Sequence, residues 1–157
     1  VVPDFYTDAF CLVAQLLSVA YGGEYEHSPE REIGVFPVTL TEAGLADDHI
    51  KGFGKTLNTG HWHGDMPGLT DNAVVLAISQ GCPRQIVRFS PKHYAFQAHL
   101  EFDLEAIDLL IAADGEEHLR QQNKELPFVQ TPEQLRANDY SEMNKKLYDF
   151  LDSLTQA

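Results

Sequence analysis

The spacing of apolar residues predicts a helix directly after the first ten residues. Apolar residues recur at i, i+4, i+7 and i+8, and they are Leu12, Leu16, Val19 and Ala20. Such a stripe is typical of a helix that faces a core. Gly22 and Gly23 then end the helix, which is predicted to run from Leu12 to Tyr21. The residues before it are hard to assign, because Asp4 and Asp8 do not suit a strand.

Segments rich in β-forming residues predict a set of strands in the middle of the chain. They cover residues 33–40, 55–58 leading into 59–65, 73–79, 85–89 and 94–99. Pro37 cannot donate a ladder hydrogen bond, so the first of these is predicted to be edge-like or interrupted. Short Gly- and Pro-containing turns separate the last three segments, as in antiparallel neighbours.

The last third of the chain has a helical pattern. A helix is predicted over residues 103–113, and Thr131 followed by Pro132 and Gln134 has the pattern of a capping box. A final stripe is formed by Met143, Leu147, Phe150, Leu151 and Leu154. The sequence thus predicts one α/β domain over residues 1–114 and a helical tail over 115–157 that packs on it.

Composition narrows the class of partner. The chain has 157 residues and a formal net charge of −13. A surface this acidic repels phosphate groups, so we expect no nucleic-acid partner and no docking on an anionic membrane. The two cysteines, Cys11 and Cys82, are too few for a disulfide scaffold. Both are interpreted as reduced thiols, and with no secretory signal evident we expect a cytoplasmic location.

Cys11 stands where the uncertain first segment meets the N-terminus of the predicted helix. A thiol there is exposed to the helix dipole and to free N–H groups, which favour the thiolate. Strand-to-helix elbows of this kind present the nucleophile in many hydrolases. The alternative is a buried core cysteine, which is common for a free thiol.

His99 and Glu101 end the last predicted strand. Residues i and i+2 of an extended chain point to the same side, so Glu101 can hold the imidazole of His99 as an orienting carboxylate. The alternative is a pair of unrelated polar residues at a solvated strand end.

A third candidate is the segment His61-Trp62-His63-Gly64-Asp65. Two histidines and an aspartate at alternate positions could bind a metal from one side. The alternative is a polar loop around a half-buried tryptophan.

Four blocks in order resemble class I glutamine amidotransferases. Cys11 to Leu17 with the following glycines is similar to the family's nucleophile elbow, and residues 32–38 to its E-x-G strand. Residues 61–67 resemble its H-x-D region, and residues 96–101 its Q-F-H-P-E signature. Within that family, the resemblance is strongest to stand-alone proteins that are similar to the glutaminase domain of GMP synthase.

This resemblance implies a flavodoxin-like, doubly wound, mostly parallel sheet with a small antiparallel set of strands. It also implies release of ammonia from glutamine, or from another γ-glutamyl compound, without a metal or cofactor. An acceptor enzyme or synthetase is the implied partner. The implied catalytic residues are Cys11, His99 and Glu101. The implied substrate-binding residues are Leu12, Gln15, His61, His63 and Asp65.

Departures from the family pattern keep two other functions open. The family has glycine where this chain has Ala9 and Val13, and Val13 is β-branched beside a tight turn. The chain begins at Val1, almost at the elbow, so we expect the upstream half of the sheet to be missing from it. A non-catalytic relative used for binding or assembly is therefore one alternative. A metallohydrolase using His61, His63 and Asp65 is the other.

Overall fold

The structure is built around a six-stranded sheet with the order β1-β6-β5-β4-β2-β3. The computed structural model describes residues 7–155, apart from the side chains of residues 7 and 8. The strands are β1 (Thr7–Phe10), β2 (Glu26–Leu40), β3 (Thr56–Met66), β4 (Val74–Ile78), β5 (Ile86–Ser90) and β6 (His93–Phe96). Asp4, one of the two aspartates that do not suit a strand, lies outside the described residues.

The predicted α/β class is confirmed, but parallel pairing is limited within the described residues. β1 pairs with β6 in parallel, whereas the other neighbouring strands are antiparallel. The reason is connection length: β4, β5 and β6 follow one another through short turns, and short turns can join only antiparallel neighbours. The mostly parallel sheet implied by the resemblance is therefore not seen in this part of the chain.

Six α-helices accompany the sheet over residues 7–155. They are α1 (Leu12–Ala20), α2 (Glu42–Ala46), α3 (Leu104–Asp114), α4 (Glu116–Glu125), α5 (Pro132–Ala137) and α6 (Ser141–Thr155), with a short 3-10 helix at Lys51–Phe53. The predicted capping box is present, because Thr131 and Gln134 each accept a hydrogen bond from the other's backbone. In this part of the chain, none of the helices combines the length and apolar composition needed to cross a bilayer.

Both faces of the sheet are covered near β6. Tyr94 and Phe96 point to one face, where their ring centroids lie 5.4 and 5.1 Å from that of Phe150 in α6. Ala95 points to the other face and belongs to the apolar cluster that includes Ala14 and Leu17 of α1. This alternation places β6 between two packed layers, so the segment that follows it is held rigidly.

The apolar stripe predicted on α1 does not face the core. Leu12, Leu16 and Val19 are 63%, 57% and 51% exposed. The buried residues are Ala14, Gln15, Leu17 and Ser18. Small side chains let the helix approach closely, and the Ser18 hydroxyl donates to the Gly68 carbonyl at 2.8 Å. Tertiary packing, not apolar periodicity, decides which face is buried here.

The predicted strand around Pro37 is longer than expected and is not at the edge. β2 spans 15 residues and lies between β4 and β3. Pro37 is tolerated because β4 pairs with β2 only at Thr39 and Leu40. On that side Pro37 therefore has no ladder partner among the described strands.

Gly68 is expected to be intolerant of any side chain. A Cβ added to it would lie 1.6 Å from the Glu24 carbonyl oxygen. We expect Gly68→Ala to lower the free energy of unfolding by about 1–3 kcal/mol or more, measured by urea denaturation. Gly52→Ala is the matched control, because a Cβ at Gly52 has no atom within 4 Å among the described residues. Equal unfolding midpoints for the two variants would contradict the close packing.

Candidate active site

Cys11 occupies a strained turn between β1 and α1. Its φ is 48° and its ψ is −114°, and no other non-glycine residue in the described range has a positive φ. Its N–H donates to the Phe96 carbonyl at 2.8 Å, and its carbonyl accepts from Ala14 at 3.0 Å. A residue with a Cβ costs about 1–3 kcal/mol in such a conformation, which persists only when the surroundings enforce it. This is the geometry of a nucleophile elbow.

The start of α1 favours negative charge beside Cys11. The N–H groups of the first helical turn have no acceptor within the helix, and the helix dipole is positive at this end. Leu12 provides the first of these N–H groups, whereas its side chain is largely exposed. Val13 is 54% exposed, so its β-branched side chain points away from the turn.

The structure brings His99 and Glu101 together. His99 Nδ1 lies 2.5 Å from Glu101 Oε1, and the imidazole stacks on Phe102 with ring centroids 4.2 Å apart. The backbone of His99 pairs with Gly60 of β3 through both its N–H and its carbonyl. β6 ends at Phe96, so His99 lies beyond the strand predicted to reach it. Beyond Phe96 the backbone leaves β6, and at His99 it exchanges hydrogen bonds with Gly60 of β3.

The environment of His99 favours its protonated form. Burial lowers the pKa, but the interactions with Cys11 and with Glu101 outweigh it and raise the pKa of His99 to about 9. Nε2 is buried and makes no hydrogen bond of normal geometry among the described residues. The ring nitrogen opposite Glu101 is therefore available to exchange a proton at neutral pH.

Two buried glutamines connect α1 to the thiol. Gln15 Nε2 lies 3.2 Å from Gln97 Oε1, and Gln97 Nε2 lies 3.5 Å from Cys11 Sγ. The thiol also lies 3.9 Å from the Trp62 carbonyl oxygen. Gln97 lies in the segment 96–101 that resembles the family signature, and its position two residues before His99 is the signal that could have identified it. The structure thus brings Gln15 to the site through Gln97.

His61 and His63 belong to a buried polar cluster. His61 Nδ1 lies 3.3 Å from His63 Nε2, and Glu32 Oε2 lies 3.6 and 3.3 Å from these two atoms. The Glu32 carboxylate also accepts from Ser79 at 2.7 Å and from Gln85 at 2.6 Å. Sequence reasoning gave no role to Glu32 or Gln85, which come from different strands.

Asp65 is not brought to this cluster. Its carboxylate lies 2.6 Å from His27 Nδ1, and the His27 side chain is 88% exposed. The set His61, His63 and Asp65 proposed for a metallohydrolase is therefore not assembled around one point. A different group, Glu32, His63 and Cys82, has possible ligand atoms within 4.8 Å of one another.

Two members of the Glu32, His63 and Cys82 group have their state set by the surrounding protein. Glu32 accepts hydrogen bonds from Ser79 and Gln85. Burial raises the pKa of the Cys82 thiol, which favours its protonated form.

Charge in the cluster is concentrated on Glu32. Burial raises the pKa of this carboxyl, but hydrogen bonding with His63 and the neighbouring His61 lower it overall. Burial is also the main cause that lowers the pKa of His61 to about 4. At neutral pH the cluster thus holds a carboxylate beside a neutral His61.

The two histidines are expected to limit stability from opposite sides of the pH scale. The pKa of His99 is raised from 6.5 to about 9, so its contribution is present below pH 6.5 and is lost as pH rises toward 9. The pKa of His61 is lowered to about 4, so stability falls as pH drops from 6.5 toward 4. Urea unfolding between pH 4 and pH 9 measures both limbs.

Replacement of His99 provides the control for the alkaline limb. In His99→Gln the decline in unfolding free energy between pH 6.5 and 9 is expected to shrink by on the order of 3 kcal/mol. The acid limb is expected to remain. Identical alkaline slopes in the two proteins would contradict the raised pKa of His99.

Known proteins share both the sequence and the fold. Glutamine amidotransferase-like protein YfeJ from Salmonella typhimurium is 50% identical over 147 residues, which are 94% of this chain and 61% of that protein. The crystal structure of SMU.1228c is 55% identical with a TM-score of 0.91, covering 94% of this chain and 62% of that one. No protein-family model matches the chain.

A more distant structure shows the same fold. A glutamine amidotransferase from Thermotoga maritima has a TM-score of 0.80 at 19% identity, covering 96% of this chain and 62% of that chain. The chain thus spans about three fifths of the length of these relatives. The resemblance found in the motifs is confirmed: this chain is a homologue of the glutamine amidotransferase-like proteins over the part of them that it spans.

Proposed function

We propose that this chain carries the catalytic residues of a glutamine amidotransferase, with Cys11 as nucleophile, His99 as acid and base, and Glu101 as the group that orients His99. One observation carries the proposal: Cys11 lies in a strained elbow and interacts with His99, whose Nδ1 lies 2.5 Å from the Glu101 carboxylate. Nucleophile, base and orienting group in this arrangement are the parts that covalent amide hydrolysis requires.

In the first half of the reaction, the Cys11 thiolate attacks the side-chain amide carbon of glutamine. The N–H of Leu12 donates to the oxyanion that forms. His99, protonated at rest because its pKa is about 9, gives its proton to the departing nitrogen. The carbon–nitrogen bond breaks, ammonia leaves, and a γ-glutamyl thioester remains on Cys11.

In the second half, neutral His99 removes a proton from water, and the hydroxide attacks the thioester carbonyl. The carbon–sulfur bond breaks, glutamate leaves, and the thiolate and imidazolium are restored. Gln15, His61, His63 and Asp65 are proposed to shape the substrate site. Gln15 acts there through Gln97, and the partly exposed Asp65 acts apart from the two buried histidines. The released ammonia is proposed to serve an acceptor enzyme or synthetase.

Labelling by a glutamine analogue tests this proposal directly. A glutamine analogue with an electrophilic ketone in place of the side-chain amide is expected to add once to the full-length protein, as measured by intact mass. Cys11→Ser is expected to remove the adduct, because a serine hydroxyl stays un-ionised at neutral pH and is a much weaker nucleophile than a thiolate. Cys82→Ser is the matched control, because Cys82 is a buried thiol, and it is expected to keep the adduct.

Two results would contradict the proposal. One is no labelling of a folded wild-type protein, which would favour a non-catalytic relative. The other is an adduct that persists in Cys11→Ser, which would place the reactive group elsewhere.

A further inference from the structure

The buried amides of Gln15 and Gln97 form a directed chain that ends on the sulfur of Cys11. Gln15 donates to Gln97 Oε1 at 3.2 Å, and Gln97 in turn directs its Nε2 to Sγ at 3.5 Å. Gln97 is 0% exposed and Gln15 is 8% exposed. Water therefore competes little with the hydrogen bond between the two glutamines, whereas the contact with the Cys11 sulfur is partly buried.

We propose that Gln97 stabilises the Cys11 thiolate by hydrogen bonding, and that Gln15 acts as a positioning residue that locks the orientation of the Gln97 amide. This inference rests on the proposed function, in which the thiolate attacks the substrate. It adds a second role for Gln15 and a role for Gln97 at the same site.

The contacts of the sulfur explain why Gln97 matters to its ionisation. The Trp62 carbonyl oxygen, 3.9 Å from Sγ, can accept from a thiol but repels a thiolate. The Gln97 N–H strengthens as a donor when the sulfur becomes charged, because a hydrogen bond to an anion is shorter and stronger than a neutral one. Of these two neutral groups, only Gln97 favours the reactive form. The charged group that faces the sulfur is His99, and its interaction with Cys11 also favours the thiolate.

The orientation of Gln97 has to be enforced, because an amide can rotate by half a turn. In the rotated form its oxygen would face the thiolate and its NH2 would face the NH2 of Gln15, so both contacts would be repulsive. The backbone is held as well, since the Gln97 N–H donates to the Gln85 carbonyl at 2.9 Å. With its own NH2 directed at Gln97 Oε1, Gln15 thus favours the orientation of Gln97 that presents a donor to sulfur.

The pH dependence of Cys11 alkylation tests this role apart from any turnover. Iodoacetamide is added to the full-length protein between pH 5 and pH 10, and modification of the Cys11 peptide is followed by mass spectrometry. In Gln97→Met the rate at neutral pH is expected to fall about tenfold or more, with the midpoint moved to higher pH. In Gln97→Glu the fall is expected to be larger, because a carboxylate repels the thiolate.

The Gln15→Met variant and a remote control complete the experiment. Gln15→Met is expected to move the midpoint in the same direction by a smaller amount. Gln122→Met is the matched control, because Gln122 is also a buried glutamine, in α4, and its midpoint is expected to stay at the wild-type pH. Gln15→Met also keeps the proposal testable if both Gln97 variants fail to fold.

An unchanged midpoint in folded Gln97 variants would overturn the proposal and leave Gln97 as a packing residue, even if turnover fell. Failure of the proposed function looks different. In that case the glutamine analogue would not label the wild-type protein, whereas the alkylation midpoint would still move in Gln97→Met and Gln97→Glu.

Discussion

Substitution of His99 by glutamine is expected to lower kcat/KM for glutamine hydrolysis by about 10⁴-fold at pH 7. In the proposed reaction, the variant loses the proton that the departing ammonia takes and the base that activates water. It also loses the cation beside Cys11, because a glutamine side chain carries no charge. The measurement is steady-state release of glutamate by the full-length protein.

His118→Gln is the matched control for this substitution. His118 is exposed on α4, outside the candidate site, and its replacement is expected to leave hydrolysis near the wild-type rate. A folded His99→Gln variant whose kcat/KM stays within tenfold of the wild-type value would contradict the assignment of His99 as acid and base.

Substitution of Glu32 by leucine is expected to lower the free energy of unfolding by about 2–5 kcal/mol, because two buried donors lose their acceptor at about 1–3 kcal/mol each. Leucine has similar size but accepts no hydrogen bond, so Ser79 and Gln85 lose their acceptor inside the protein. The side chain of Glu32 is only 1% exposed, and water cannot replace the lost contacts. Urea denaturation at pH 7 measures the change as a shift in midpoint at unchanged slope.

The Glu32→Gln variant keeps the shape of the side chain but removes its charge, so it shows how much of the stability loss comes from each. The amide keeps one acceptor oxygen, so its loss of stability is expected to be smaller than that of Glu32→Leu. Equal unfolding midpoints for wild type and Glu32→Leu would mean that the cluster contributes nothing to stability. The same cluster borders the candidate site, because His61 follows Gly60, whose backbone pairs with His99.

Local signals in the sequence were sufficient for several elements. The capping box at Thr131 depends on side chains three residues apart, so neighbouring residues alone specify it. Gly22, with a φ of 86°, follows the end of α1 as predicted, because glycine adopts that conformation without strain. The antiparallel run from β4 to β6 followed from turns that the sequence makes visible.

Long-range packing decided what local signals could not. The apolar stripe of α1 was predicted to face a core, but it is exposed. Apolar periodicity shows which residues share one side of a helix, but it does not show what that side packs against. Pro37 indicated an edge, yet β2 lies inside the sheet. Pro37 is tolerated there because β4 pairs with β2 only at Thr39 and Leu40. His99 lies past the end of β6 because β3 pairs with its backbone.

By itself, the sequence determined the α/β class, most element positions and the order of motifs that indicated the amidotransferase family. It also determined which residue types are available for chemistry, since Cys11, His99 and Glu101 are recognisable from their neighbours. The tertiary structure alone decided that Gln97 reaches the sulfur, that Glu32 joins His61 and His63, and that Asp65 stays apart. The physical reason is that these contacts join residues from separate strands and helices. Their distances depend on how the whole sheet twists and packs, which no local spacing encodes.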